Sequence, residues 1–172
     1  MQHRSIFLLS LFLASAGITA FGRQDSLLKR TPYKLSIAVD KKTVYEEMLK
    51  EAPYVLPDKT IQLYPGETLF IEVDQTDGNI QSLKAVKEIK DSSKTVILKF
   101  VQVVEKKKHA QMMLTVVNPF RYNLVYQANI FLLNQQKWVK TNVYPVFAGI
   151  SGIETWQDII ISAGLGGWAF QK

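Results

Sequence analysis

Cysteine is absent from this 172-residue sequence. Its absence excludes disulfide bonds, thiolate catalysis and cysteine-ligated zinc sites. The sequence also contains no Asn-x-Ser/Thr acceptor site for N-glycosylation. A chain without disulfides must be stable through its hydrophobic core. About 150 residues are enough for this, because a domain of that size buries about 70% of its unfolded surface.

Long apolar segments are lacking except at the amino terminus, where residues 6–16 read IFLLSLFLASA. This run is too short to cross about 30 Å of hydrocarbon, which needs about 20 apolar residues. It follows the weakly basic His3 and Arg4, and the small residues after it suit cleavage after Gly22 or after Ala20. We predict a signal peptide over residues 1–22, with an uncleaved anchor as the alternative, and no transmembrane span in the mature chain.

A signal peptide over these residues predicts that the chain is exported. No cysteine follows the apolar run, which excludes lipid attachment at a processed amino-terminal cysteine. Export without disulfides or glycosylation sites favours a bacterial periplasm or cell surface over a eukaryotic secretory route.

The net charge of the full sequence is +6, and loss of Arg4 with the signal peptide leaves +5. A mildly basic protein is attracted to anionic surfaces such as lipid headgroups, anionic glycans or acidic proteins. The charged residues are scattered along the sequence, so we do not predict nucleic-acid binding.

Apolar and polar residues alternate through most of the sequence, which is typical of strands with one buried face. The alternation is clearest in residues 33–39, 68–74 and 122–132. Further strands are predicted at residues 60–64, 80–89, 95–104, 111–117, 138–147, 159–162 and 167–170. Turn signals recur between these runs at the spacing of sandwiches and barrels. We predict an all-β, mostly antiparallel, immunoglobulin-like sandwich, with a small β-barrel as the alternative.

One short helix is predicted within this β pattern, over residues 44–51. Thr43 and Glu46 match a capping box, in which each side chain accepts a backbone N–H at the start of a helix. Pro53 would end the element. The polar residues 23–31 are predicted to be a flexible lead-in. A single domain then spans residues 32–172.

Residues 95–104 are apolar on both faces of the predicted strand, with Leu98 and Phe100 on one face and Ile97 and Val101 on the other. A half-exposed strand does not have this composition. The strand is therefore either central in the sandwich or partly covered by a partner.

No catalytic, cofactor or metal site is predicted, because each candidate motif fails a spacing check. A calcium loop beginning at Asp74 would place Gly78 and Asn79 at positions 5 and 6, which need an oxygen ligand and glycine. The glycines of residues 164–167 are not followed by the Lys-Ser/Thr pair of a phosphate loop. His109, the one histidine beyond the predicted signal peptide, lies in a charged predicted turn.

Two groups of residues are predicted partner contacts. Trp156 follows a loop-like stretch, where an exposed indole could stack on a sugar or a peptide. The alternative is a tryptophan that fills the end of the sandwich. Lys106, Lys107 and Lys108 form a charged turn that suits an anionic surface.

Residues 113–122 (MLTVVNPFRY) resemble the strand–Asn-Pro–strand segment in the amino-terminal domains of periplasmic pilus chaperones. Residues 61–67 (IQLYPGE) are similar to a strand–turn–strand of many bacterial immunoglobulin-like domains. The resemblance implies an immunoglobulin-like sandwich. It assigns no functional residue, because the arginine and lysine that anchor the chaperone's subunit match no position here.

These features favour a non-enzymatic exported module that binds a protein or an envelope polymer, or that belongs to an envelope assembly. An open edge strand would let it bind by strand addition. The first alternative is a carrier of a small, lipid-like ligand in a β-barrel. The second is a hydrolase of envelope polymers, which requires a cleft where two or more of these residues converge: His109, Glu72, Asp74, Asp158 and Ser151.

Overall fold

A computed structural model describes residues 27–171, and within this range the protein consists of strands and connecting turns without a helix. The predicted signal peptide lies outside the described residues. The strands in chain order are β1 (Lys29–Arg30), β2 (Tyr33–Ala38), β3 (Val44–Leu49), β4 (Ala52–Pro53), β5 (Ile61–Leu63), β6 (Thr68–Thr76), β7 (Asn79–Val86), β8 (Thr95–Glu105), β9 (Lys108–Val117), β10 (Asn123–Leu132), β11 (Lys137–Thr141), β12 (Ser151–Trp156) and β13 (Ile160–Gln171).

Two antiparallel sheets face each other, which confirms the predicted sandwich. One sheet has the strand order β12-β9-β8-β6-β7 and the other β11-β10-β13-β5. The inward rows of both sheets supply the core, in which Leu98, Phe100, Leu114, Leu124 and Leu165 have no exposed surface. Burying such rows is the main favourable contribution to folding.

The alternative of a closed barrel is wrong, because the edge strands of one sheet do not pair with those of the other. The space between the sheets is filled by side chains. A cavity beside Ile71, Leu83 and Trp168 measures about 10 Å³. This volume is about that of one water-sized probe, so it offers no room for a lipid-like ligand.

The predicted short helix is also wrong, since residues 44–49 form β3. This strand pairs with β2 in a hairpin that places Leu35, Ile37 and Leu49 against Ile161 in a second small core. The Asp40 carboxylate accepts hydrogen bonds from the backbone amides of two residues in the hairpin turn, and these bonds lower its pKa. Pairing with β2 thus outweighs the local capping signal, as tertiary contacts often do.

The position of β8 explains its two apolar faces. It lies in the middle of the five-stranded sheet, as the first of the two interpretations predicted. Leu98 and Phe100 point into the core, whereas Ile97 and Val101 are half-buried on the outer face. The strand predicted at residues 80–89 is present as β7, although it ends at Val86. The strand predicted at residues 138–147 ends at Thr141.

The end of the predicted flexible lead-in is ordered. Lys29 and Arg30 pair with Ala52 and Pro53, so the prediction is wrong for these two residues. The cause is the Arg30 side chain, which is 2% exposed and forms an ion pair with Glu67. The end of this polar segment is thus part of the folded domain, because the charge of Arg30 is paired with Glu67.

Candidate functional site

Strand β12 is an open edge of the five-stranded sheet. It pairs with β9 on one side, and no strand within residues 27–171 pairs with its other side. The Asn118 amide donates to the Ile150 carbonyl at 3.0 Å, just before β12 begins. Because antiparallel pairs alternate, the peptide groups of Ser151, Ile153 and Thr155 then point away from β9. Their N–H and C=O groups can therefore form hydrogen bonds with an added strand.

Exposed apolar side chains lie beside this edge. We call Tyr144, Phe147, Ile150 and Ile153 the β12 patch, and their exposed fractions are 82%, 61%, 51% and 60%. Single exposed apolar residues are common, but a group of large ones beside an unpaired strand is typical of an interaction site.

Asn118 holds the loop that carries most of this patch. Its side-chain amide donates to the carbonyls of Tyr122, Val146 and Phe147 at 2.9, 3.0 and 3.1 Å, and its oxygen accepts the Phe120 amide at 3.0 Å. The side chain is 1% exposed. In the sequence, Asn118 stands out only as part of the strand–Asn-Pro–strand segment. Its position, directly after one strand and before a proline, was the available clue that its side chain is buried and hydrogen-bonded.

Val146 connects the loop to both sheets. Its backbone exchanges two 2.9 Å hydrogen bonds with Leu124 in β10. Its side chain packs on Gly152 in β12, where a Cβ atom would lie only 2.8 Å from the valine Cγ2. Glycine at this position therefore allows the loop and the edge strand to approach closely. The β12 patch is consequently supported by the core.

Trp156 lies at the end of β12 and not in a loop. Its indole nitrogen donates to the Thr141 hydroxyl at 3.1 Å, and its ring meets Phe100 edge-on at 6.4 Å. The ring is half-buried against the main core, as in the alternative that a tryptophan fills the end of the sandwich. Trp138 is the more exposed indole, at 50%.

The lysine turn lies at the opposite end of β9 from the start of β12. Lys106, Lys107 and Lys108 are all exposed. The turn between β2 and β3, with the exposed Lys41 and Lys42, lies nearby, because the charge of Lys108 contributes to the lowered pKa of Asp40. The fold thus gathers lysines from two turns. Their contact with an anionic surface stays a prediction.

The lysine turn is strained, and we expect Lys107→Gly to stabilise the protein by about 0.5–1 kcal/mol. Lys106 and Lys107 have φ angles of 49° and 66°, which are left-handed and suit Asn-Gly in a two-residue hairpin turn. Lys108→Gly removes the same charge from a strand and should destabilise by about 0.5–1 kcal/mol. Urea unfolding midpoints compare the two. Equal destabilisation by both changes would contradict the prediction.

Of the residues named for the hydrolase alternative, His109 and Ser151 lie far apart, whereas Asp158 directly follows Gln157, which contacts His109. His109 contacts the Gln102 side chain and the Gln157 carbonyl, each at 3.0 Å. Ser151 pairs with Val117, eight residues further along β9, which is roughly 26 Å away at about 3.3 Å per residue. Asp74 instead accepts a hydrogen bond from Ser82. Within residues 27–171, no three His, Asp or Glu side chains are grouped so that they could hold a metal ion.

Within the described range, no helix is long and apolar enough to cross a membrane. Comparison with known proteins gives no match to a protein-family model, a curated protein or a solved structure.

Proposed function

We propose that the chain is an exported, non-enzymatic binding module that captures an extended segment of a partner protein on β12. The observation that carries the proposal is the open edge, where the peptide groups of Ser151, Ile153 and Thr155 point away from β9 beside the β12 patch. In strand addition, main-chain hydrogen bonds supply affinity and neighbouring side chains supply specificity.

The other edges of the sandwich carry features that discourage pairing, and β12 does not. Strand β11 bears Lys137 and Lys140, β5 has only three residues, and the pairing of β7 with β6 contains a register shift. Lysines, short edges and bulges are common means of preventing strand addition. Strand β12 contains no lysine or proline, and its pairing with β9 is regular. This contrast favours β12 as the binding edge.

The proposed location outside the cytoplasm rests on residues 1–22, whose apolar run and small residues fit a signal peptide. We place the module in a bacterial periplasm or on the cell surface. The partner is then a protein of that compartment, or a component of an envelope assembly that presents an extended segment.

Ile153→Pro is expected to abolish partner capture with little effect on the fold. The Ile153 N–H points away from β9, so proline removes a donor that only an added strand would use. The full chain, with its leader and a photo-crosslinking phenylalanine analogue at position 147, should form an adduct in cells of its native host. We expect the Ile153→Pro form to lose this adduct and to keep its unfolding midpoint.

A synthetic peptide of the crosslinked segment then tests the binding mode. Added to the protein, it should slow amide hydrogen exchange at Ser151, Ile153 and Thr155. Val104→Lys alters an apolar residue that is 46% exposed at the other end of the sheet, and it should leave both results unchanged. An adduct that persists in Ile153→Pro, or unchanged exchange on β12, would refute strand addition. A chain that retains Met1 and is recovered from the cytoplasm would refute export.

A further inference from the structure

A groove lies on the outer face of the four-stranded sheet, and it does not include the β12 patch. Its volume is about 370 Å³, within the range of small-ligand sites. The lining residues come from β5, β10, β11, β13 and the segment before β5: Leu56, Thr60, Gln62, Asn129, Trp138 and Gly164.

Gly164 forms an open floor for this groove. It pairs with Asn129 on one side and Gln62 on the other, in the middle of the sheet. A Cβ atom there would lie 3.6 Å from the Thr60 methyl carbon and 3.8 Å from Cζ3 of the Trp138 ring, which are ordinary contact distances. Its φ angle is not left-handed. Neither the backbone nor crowding requires glycine here, and its effect is to leave room above the sheet.

Trp138 forms an apolar wall of the groove. The ring reaches from β11 past β10 toward Gly164 in β13, and it is 50% exposed. Phe131 meets it edge-on at 5.4 Å, with an angle of 62° between the rings. A tryptophan held this way on a rigid sheet presents a fixed apolar surface at a small cost in conformational entropy.

The polar groups of the groove are neutral. The Asn129 side-chain amide has no hydrogen-bond partner within the described residues. The Gln62 amide nitrogen is 3.2 Å from both Tyr64 Oη and Ser162 Oγ, which holds the side chain in place and leaves its oxygen as an acceptor. The Thr60 hydroxyl donates to Asp58 at 3.0 Å and can still accept. These neutral donors and acceptors suit a ligand that carries hydroxyl groups better than a charged ligand.

We propose that this groove binds a neutral glycan by stacking one pyranose ring on Trp138. A sugar ring has an apolar C–H face and a rim of hydroxyls, which match the indole and the three neutral side chains. The backbone of the floor is already paired on both sides by β10 and β5. It cannot pair with an extended peptide, so the groove favours a ligand bound through side chains alone.

The test uses the folded protein and an array of neutral glucose, galactose, mannose and N-acetylglucosamine oligosaccharides, followed by NMR titration with the best of them. We expect saturable binding that shifts the Trp138 indole N–H signal. Trp138→Ala should weaken binding roughly tenfold or more, the equivalent of about one favourable aromatic contact. Gly164→Val, which fills the floor from an ordinary strand position, should abolish binding.

Tyr144→Ala is the matched control, because it removes an aromatic residue that is 82% exposed elsewhere and should leave glycan binding unchanged. Circular dichroism and unfolding midpoints verify that the variants are folded. Binding that survives both Trp138→Ala and Gly164→Val, an array without any neutral ligand, or a groove that binds only peptides would overturn the proposal. None of these outcomes bears on capture of a strand by β12.

Discussion

Glu67→Ala should destabilise the protein by about 3–5 kcal/mol, because it leaves the buried Arg30 guanidinium without its partner. The Arg30 Nε and Nη2 atoms donate to Glu67 at 2.5 and 3.1 Å, and Nη2 also donates to the Gln62 carbonyl at 3.0 Å. The guanidinium also contacts the rings of Tyr54 and Tyr64, with its Cζ atom 4.8 and 4.6 Å from their centroids.

The environment of Arg30 explains the size of this effect. Burial alone would lower its pKa, but the hydrogen bond and the charge of Glu67 outweigh burial and raise it. The charge is thus retained in the folded state at a large desolvation cost, which Glu67 offsets. The same carboxylate accepts the Tyr64 amide at 2.8 Å, so its loss also affects the turn at Pro65-Gly66.

The neighbouring residue provides a matched control. Lys29 forms a 2.8 Å ion pair with Glu51, and both side chains are more than half exposed. Glu51→Ala should therefore cost less than about 1 kcal/mol. Urea unfolding followed by tryptophan fluorescence compares the two variants. The double change Arg30→Met with Glu67→Leu should recover much of the loss, since it removes both charges. Similar midpoints for Glu67→Ala and Glu51→Ala would contradict this account.

Asn118→Ala is the second large expected effect, about 2–4 kcal/mol of lost stability. The substitution removes a donor from three carbonyls and the acceptor of the Phe120 amide. The Val146 and Phe147 carbonyls keep backbone donors, at 2.9 and 3.4 Å, so the Tyr122 carbonyl and the Phe120 amide lose most. A buried group left unsatisfied costs more than the net value of the hydrogen bond that it formed. Because two of the carbonyls belong to Val146 and Phe147, the loss should loosen the loop of the β12 patch.

Asn123→Ala separates this effect from the general loss of an asparagine. Asn123 accepts a single hydrogen bond from the Ala148 amide, at 3.1 Å in an exposed setting. Its replacement should cost about 1 kcal/mol or less. Amide exchange throughout residues 146–150 should accelerate in Asn118→Ala, whereas in Asn123→Ala only the Ala148 amide, which loses its acceptor, should exchange faster. Unaltered exchange in Asn118→Ala would show that the loop is held by other contacts.

Much of the fold could be predicted from local patterns. The alternation in residues 122–132 predicted β10 almost to the residue, because a pleated strand with one buried face must alternate. The two apolar faces of residues 95–104 predicted a central strand, and β8 is central. The capping pattern at Thr43 misled because a local helix signal amounts to about 1 kcal/mol, whereas β3 gains a full pairing with β2.

The candidate site was less predictable, because exposure depends on distant parts of the chain. The residues next to Trp156 and Trp138 in the sequence do not reveal which indole is more exposed. The Trp156 ring is covered through its contacts with Thr141 and Phe100, whereas Trp138 lies on an edge strand beside Gly164. Likewise, Arg30 belongs to a polar stretch that is typical of a frayed terminus, and its partner Glu67 is 37 residues away.

Residue types and the geometry of a strand are enough to predict three properties of this protein: the absence of disulfides, the alternating rows that form the core and the all-β class. Three other properties arise only when the chain folds: β12 becomes an open edge, Arg30 is buried and Trp138 lines a groove. Each of these properties depends on which distant segments become neighbours, and pairing between strands is selected by the burial of the whole sheet.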